Sequence, residues 1–246
     1  MPRFAAPTSP RAPRPRATRE ALCDALAHWL PRGLCQLCAL PSRAPLCSAC
    51  EERYLGASAA RCPRCAARAP CGACMLAPPP FARTLTLGDY APPLDRVIAR
   101  LKFGAQPALG HWLGALLGQR WAAARLPRPD RVVAVPLSDA RLRARGYNQA
   151  WEIARGLAAT LRLHADATLL GRCRDTAAQS SLPRTQRADN VRGAFVVRGR
   201  ARLARVLLVD DVMTSGCTLQ AAAGALLRAG AAEVAVAVAL RTPAPE

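Results

Sequence analysis

The chain changes character near residue 80: beyond it, large apolar residues recur with helical or strand period, and before it they are sparse. Leu94, Val97, Ile98 and Leu101 stand three and four residues apart, the spacing that lines one face of a helix. Residues 109–124 read as a second helix, and 148–163 as a third through Trp151, Ile153, Ala154 and Leu157. Short β-branched or apolar runs predict strands at 131–135, ended by Pro136, and at 195–197, 206–209 and 234–240. A helix over 218–229 separates the last two. Strand alternating with helix predicts an α/β fold, a mostly parallel sheet flanked by helices. Residues 164–193 are polar, arginine-rich and without period, a long connection of the kind that is functional or mobile.

Upstream, residues 1–20 form a Pro/Arg-rich stretch that predicts a disordered tail. Pro78, Pro79 and Pro80 make a stiff break, so the chain divides into a tail over 1–20, a cysteine-rich module over 21–80 and the α/β domain over 81–246. The module holds four CxxC pairs: Cys35 and Cys38, Cys47 and Cys50, Cys62 and Cys65, Cys71 and Cys74. Two intervening residues let both sulfurs reach one ion, and a tetrahedral zinc needs two such pairs, so eight thiolates predict two structural zinc sites. The pairs are consecutive or interleaved; spacing alone allows both. Closed cysteine coordination leaves no open position for catalysis.

Thirty-five basic and sixteen acidic residues among 246 give a net charge of +19, and all the basic residues but Lys102 are arginine. Such a chain draws polyanions, nucleic acids or phosphorylated metabolites. No run of 18 apolar residues occurs, and the basic N-terminus lacks the apolar stretch of a secretory signal, so a transmembrane segment and export are not expected. Paired cysteines kept for metal match a cytoplasmic setting.

The strongest chemical signal is VLLVDDVMTSGCTL, residues 206–219. Four apolar residues make a buried strand, Asp210 and Asp211 stand where it ends, and a hydroxylated loop leads into the next helix. Ligands of open α/β sheets bind beyond such strand ends. Thr214, Ser215, Gly216, Cys217 and Thr218 would aim backbone N–H groups and hydroxyls at a phosphate, with the positive end of the helix behind them. The two carboxylates can accept from ribose hydroxyls, so the parts fit a ribose 5-phosphate. A Walker loop is excluded, because Lys102, the sole lysine, lies far off in sequence.

These residues resemble the fingerprint of the type I phosphoribosyltransferases. Residues 132–150, with Pro136, Arg145, Gly146, Tyr147, Asn148 and Gln149, are similar to the strand-loop-helix segment of the ComF family, GntX-like members in particular. Gln179, Arg187, Asn190 and Phe195 match its mobile-loop region, and the cysteine pairs resemble its double zinc ribbon. The resemblance implies binding of phosphoribosyl pyrophosphate with magnesium, and links the chain to DNA uptake or use of imported DNA. In a transfer reaction Asp210 and Asp211 would orient the ribose and oppose charge developing on its reacting carbon. Arg141 and Arg145, with Asn148 and Gln149, would face the pyrophosphate, and Arg187 with Gln179 and Asn190 would belong to the mobile loop. Three functions follow: a phosphoribosyltransferase with an unidentified nitrogenous acceptor, a protein handling single-stranded DNA beside the uptake machinery, or a ligand-sensing regulator.

The charge is uneven. Residues 141–205 carry fourteen basic and four acidic side chains, +10 net, whereas 206–246 carry two and four. The positive field therefore belongs chiefly to the segment expected around the ligand edge, and DNA contacts are expected there as much as on the ribbons.

Overall fold

Val206 to Val209, four apolar residues in succession, need a strand buried on both faces. In the computed structural model, which describes residues 33–56, 60–69, 71–173, 193–199 and 204–243, they form the middle of a central strand. The described chain begins with a two-residue ladder, β1 (Gly33–Leu34) and β2 (Pro41–Ser42), followed by helices α1 (Ser48–Leu55) and α2 (Gly72–Leu76). Then come β3 (Thr84–Asp89), α3 (Leu94–Phe103), α4 (Pro107–Ala123), β4 (Arg131–Ala134), α5 (Asp139–Arg145) and α6 (Gln149–Leu161). Short strands β5 (Ala165–Asp166), β6 (Leu170–Arg172) and β7 (Phe195–Val197) precede β8 (Arg205–Met213), α7 (Cys217–Arg228) and β9 (Glu233–Arg241).

Five of these strands make one parallel sheet in the order β3-β9-β8-β4-β5. β8 continues past its apolar run because β9 keeps supplying partners, Val212 opposite Leu240 and Met213 opposite Arg241. The periodicity missed β3, whose TLTLGD offers only two large apolar residues. The strand expected at 195–197 exists, but it pairs antiparallel with β6 outside the parallel sheet.

Helices α4 and α6 approach each other backbone to backbone. Gly110, Gly114 and Gly118 recur every fourth residue and present a bare face to α6; a Cβ on Gly114 would lie 2.0 Å from the Ile153 carbonyl oxygen. Opposite, a Cβ on Gly156 would lie 1.9 Å from the His111 carbonyl oxygen. This contact places the N-terminus of α6, with Asn148 and Gln149, at the carboxyl edge of β4.

The first cysteine group packs on the same core as the sheet. Cys35, Leu46, Cys50 and Leu55 belong to the same apolar cluster as the helices and strands downstream. Arg120 ties the two parts by donating Nη1 to the Leu87 carbonyl at 2.8 Å and Nη2 to that of Gly56 at 3.3 Å.

Candidate functional site

The eight cysteines gather into two groups, Cys35, Cys38, Cys47, Cys50 and Cys62, Cys65, Cys71, Cys74, with all sulfurs of a group within 4.8 Å of one another. The pairing is thus consecutive. Zinc–sulfur bonds of about 2.3 Å imply tetrahedron edges of about 3.8 Å; Cys38 and Cys47 Sγ stand 3.6 Å apart, and Cys65 and Cys71 Sγ 3.4 Å. Burial opposes ionisation of Cys35, yet backbone N–H groups at Cys38, Cys47 and Leu37 draw its thiol down to about 6. Cys50 is pushed up to about 12 by burial and by its neighbouring sulfurs. Burial and the Cys65 sulfur raise Cys74 likewise. Four thiolates so close can all ionise only around a cation, and each group fits structural zinc.

At the carboxyl end of β8, Asp210 and Asp211 border a cavity of about 480 Å³. Its wall includes Arg141, Arg145, Asn148 and Gln149 from the predicted set, and Thr214 and Thr218 from the loop. Asp210 Oδ1 accepts from the Asp211 backbone N–H at 2.8 Å, and Asp211 Oδ1 from that of Val212 at 2.6 Å. Burial first, then the neighbouring Asp211 charge, raises Asp210 to about 7, while Lys102 and Arg172 pull the other way.

Gly216, at φ +82°, takes the left-handed turn that opens α7, and its flexibility is what lets the chain enter the helix there. A smaller hollow of about 20 Å³ beneath the loop is lined by Asp210, Thr214, Gly216 and Thr218 among others, space for one water-sized group. Ser215 and Cys217 line neither cavity; the Cys217 N–H lies 3.5 Å from Ser215 Oγ.

The strand-loop-helix residues have local duties as well. Asn148 caps α6 by accepting from the Ala150 N–H at 3.0 Å, and donates Nδ2 to the Val135 carbonyl at 3.0 Å. Arg145 donates to Gln149 Oε1 at 2.9 Å and lies over the Phe103 ring, 5.6 Å from its centre, so its guanidinium is held against the cavity. Gln179, Arg187 and Asn190 lie outside the described residues.

Four polar wall residues escaped the sequence reading: Lys102, Tyr90, Arg172 and Thr242. Lys102 Nζ is 3.1 Å from Asp211 Oδ2. Thr242 Oγ1 is buried without a hydrogen-bond partner. The one signal for Lys102 was compositional, a lysine kept in a chain that otherwise uses arginine throughout.

Comparison with known proteins fits this geometry. The family described as phosphoribosyl transferase domain matches residues 132–246. The protein named DNA utilization protein YhgH from Salmonella typhi is 38% identical over 216 residues, covering 83% of this chain and 95% of that protein. Its namesake from Escherichia coli K12 is 37% identical over 216 residues, with the same coverage. Competence protein F from Haemophilus influenzae is 30% identical over 224 residues, covering 87% of this chain and 93% of its own. Two four-cysteine groups packed on a phosphoribosyltransferase-type parallel sheet, together with relatives alike over nearly their whole length, make this chain a member of the ComF family.

Proposed function

We propose that the chain binds phosphoribosyl pyrophosphate with magnesium at the carboxyl edge of β8, transfers its phosphoribosyl group to a nitrogenous acceptor, and serves in the use of imported DNA in the cytoplasm. The observation that carries this reading is that Asp210, Asp211, Thr214 and Thr218 line one cavity together with Lys102, Arg141 and Arg145. The carboxylates suit sugar hydroxyls, and the cations suit a diphosphate. The names of the relatives support the biological setting.

The 5-phosphate takes the backbone N–H groups at the start of α7, where the helix dipole favours an anion. Asp210 and Asp211 accept from the ribose hydroxyls and oppose positive charge on the anomeric carbon as its bond to the pyrophosphate oxygen breaks and the bond to nitrogen forms. Lys102, Arg141 and Arg145 hold the departing diphosphate. Magnesium, when bound, neutralises diphosphate charge; because Asp211 is already paired with Lys102, the ligand's own oxygens suit that ion better than the protein's carboxylates do.

The test is calorimetric titration of the full chain with phosphoribosyl pyrophosphate and magnesium, beside the Asp210→Ala/Asp211→Ala variant. Heat in the first and none in the second is the expected result, and equal binding in both removes the site from this edge. A screen of nitrogenous bases for pyrophosphate release then tests transfer. Binding without release, together with salt-dependent capture of single-stranded DNA, replaces the transferase with a ligand-sensing DNA-handling protein.

A further inference from the structure

The second cysteine group grips the ligand edge of the sheet at two neighbouring strand ends. Asp89 ends β3 and Arg241 ends β9, and the two are partners in the ladder. The Asp89 carboxylate holds Arg61 at 2.8 Å and Arg68 at 2.6 Å, both from the segment that carries Cys62 and Cys65. Burial works against that carboxylate, yet Arg68 and Arg61 keep it ionised below the ordinary carboxylate range. Arg241 donates Nε to the Cys65 carbonyl at 3.0 Å and Nη1 to the carbonyls of Met213, at 3.0 Å, and Thr214. One planar guanidinium thus spans from the backbone of a cysteine in the second group to the first residue of the phosphate loop.

The residue after each gripped strand end lines the ligand cavity: Tyr90 follows Asp89, and Thr242 follows Arg241. Their backbones are tied too, Tyr90 N–H to the Arg241 carbonyl at 2.8 Å and Thr242 N–H to that of Met213 at 3.0 Å.

The two cysteine groups differ in what else holds them. Cys35 and Cys50 of the first are part of the shared apolar core, whereas the buried Cys62 and Ala66 of the second are not. The first group meets α3 through Arg100, which donates to the Gln36 carbonyl at 3.1 Å, but α3 is anchored by its own buried Leu94, Val97, Ile98 and Leu101. The second group has little apolar core of its own, so a bound metal would do much to fix the position of the Cys65 carbonyl.

We infer that the second zinc centre is a positioning device for the ligand site, setting loop 214–218 through Arg241 and the Tyr90 wall through Asp89. A guanidinium fork fixes the separation of the carbonyls it bridges in a way a flexible ammonium does not, so Arg241 is the positioning residue. Only the ligand arm of the following test rests on the phosphoribosyl reading.

The experiment is hydrogen exchange of the Tyr90 and Thr242 amides, both hydrogen-bonded at the gripped strand ends, in the full chain, with zinc content and melting temperature measured alongside. Wild type should hold about two zinc ions. Arg241→Ala should keep both and melt cooperatively, while these amides exchange about tenfold faster; Arg241→Lys should restore only part of the protection. Cys65→Ser/Cys71→Ser should lose one zinc and speed the same amides, and adding Arg241→Ala to it should add little, because both act on one path. Cys38→Ser/Cys47→Ser should also lose one zinc yet leave them near wild-type rates. Unchanged exchange in Arg241→Ala, or equal acceleration by both cysteine variants, overturns the inference. Exchange needs no ligand, so failure of wild type to bind phosphoribosyl pyrophosphate would count against the proposed function alone. Where wild type does bind, Arg241→Ala should weaken affinity about tenfold, matching its effect on exchange.

Discussion

Lys102 Nζ stands 3.1 Å from Asp211 Oδ2, joining the end of α3 to the end of β8 across more than a hundred residues of chain. Both side chains are largely buried, so the pair neutralises a carboxylate that stands next to the buried Asp210. It also stations a cation on the wall of the cavity beside Asp210.

Replacing Lys102 by alanine should therefore weaken binding of phosphoribosyl pyrophosphate. A hydrogen bond to a charged group contributes about 1.5–3 kcal/mol, so the expected loss is roughly ten- to a hundredfold in affinity by calorimetry. A fall in melting temperature with affinity intact would mean that the lysine serves Asp211 alone.

Asp210→Asn should separate stability from binding. Folding raises the carboxyl from 3.8 to about 7, so the folded chain binds this proton more tightly than the unfolded one. Ionising Asp210 as pH rises between those values then costs stability, and that cost is fully present above the folded pKa. The amide carries no such cost. Its melting temperature should exceed wild type at pH 8, the gap narrowing as pH falls through 7 and closing near pH 4, while ligand binding is reduced throughout. A gap independent of pH would place the effect somewhere other than ionisation.

Two glycine-to-alanine changes should have opposite signs. At Gly114 the added Cβ would strike the Ile153 carbonyl oxygen at 2.0 Å, so the helices must part. Overpacking of this kind costs about 1–3 kcal/mol or more, roughly 2–4 °C of melting temperature per kcal/mol in a chain of this size. Gly224, inside α7, would meet only the flexible end of Arg228 at 3.2 Å. Alanine there should stabilise by about 0.5–1 kcal/mol through helix propensity. Equal melting curves for the two variants would contradict the tight contact of α4 with α6.

Local order is legible in the residues alone. The period of Leu94, Val97, Ile98 and Leu101 marks a helix because helical geometry repeats over a few residues, and CxxC spacing marks a shared metal for the same short-range reason. The run Val206 to Val209 needs nothing remote to identify a buried strand. These signals carry the fold class and the two four-cysteine groups. β3 stays hidden because its short sequence holds too few large apolar residues to show a period, and β7 is visible without its partner because a three-residue strand says nothing about which strand it will join.

What only the tertiary structure decided are relations between residues distant in the chain. Each CxxC pair is locally identical, so consecutive pairing emerges only from how the turns pack. The positions of Lys102 against Asp211 and of Arg241 between Cys65 and Thr214 follow from the strand order β3-β9-β8 and from the docking of the second cysteine group on that edge. The sequence by itself determined the chemistry of the separate parts, since that chemistry is written within single turns and strands. Their assembly into one site required the long-range pairing of the sheet, because strand order is set by burial summed over the whole chain and not by any one segment.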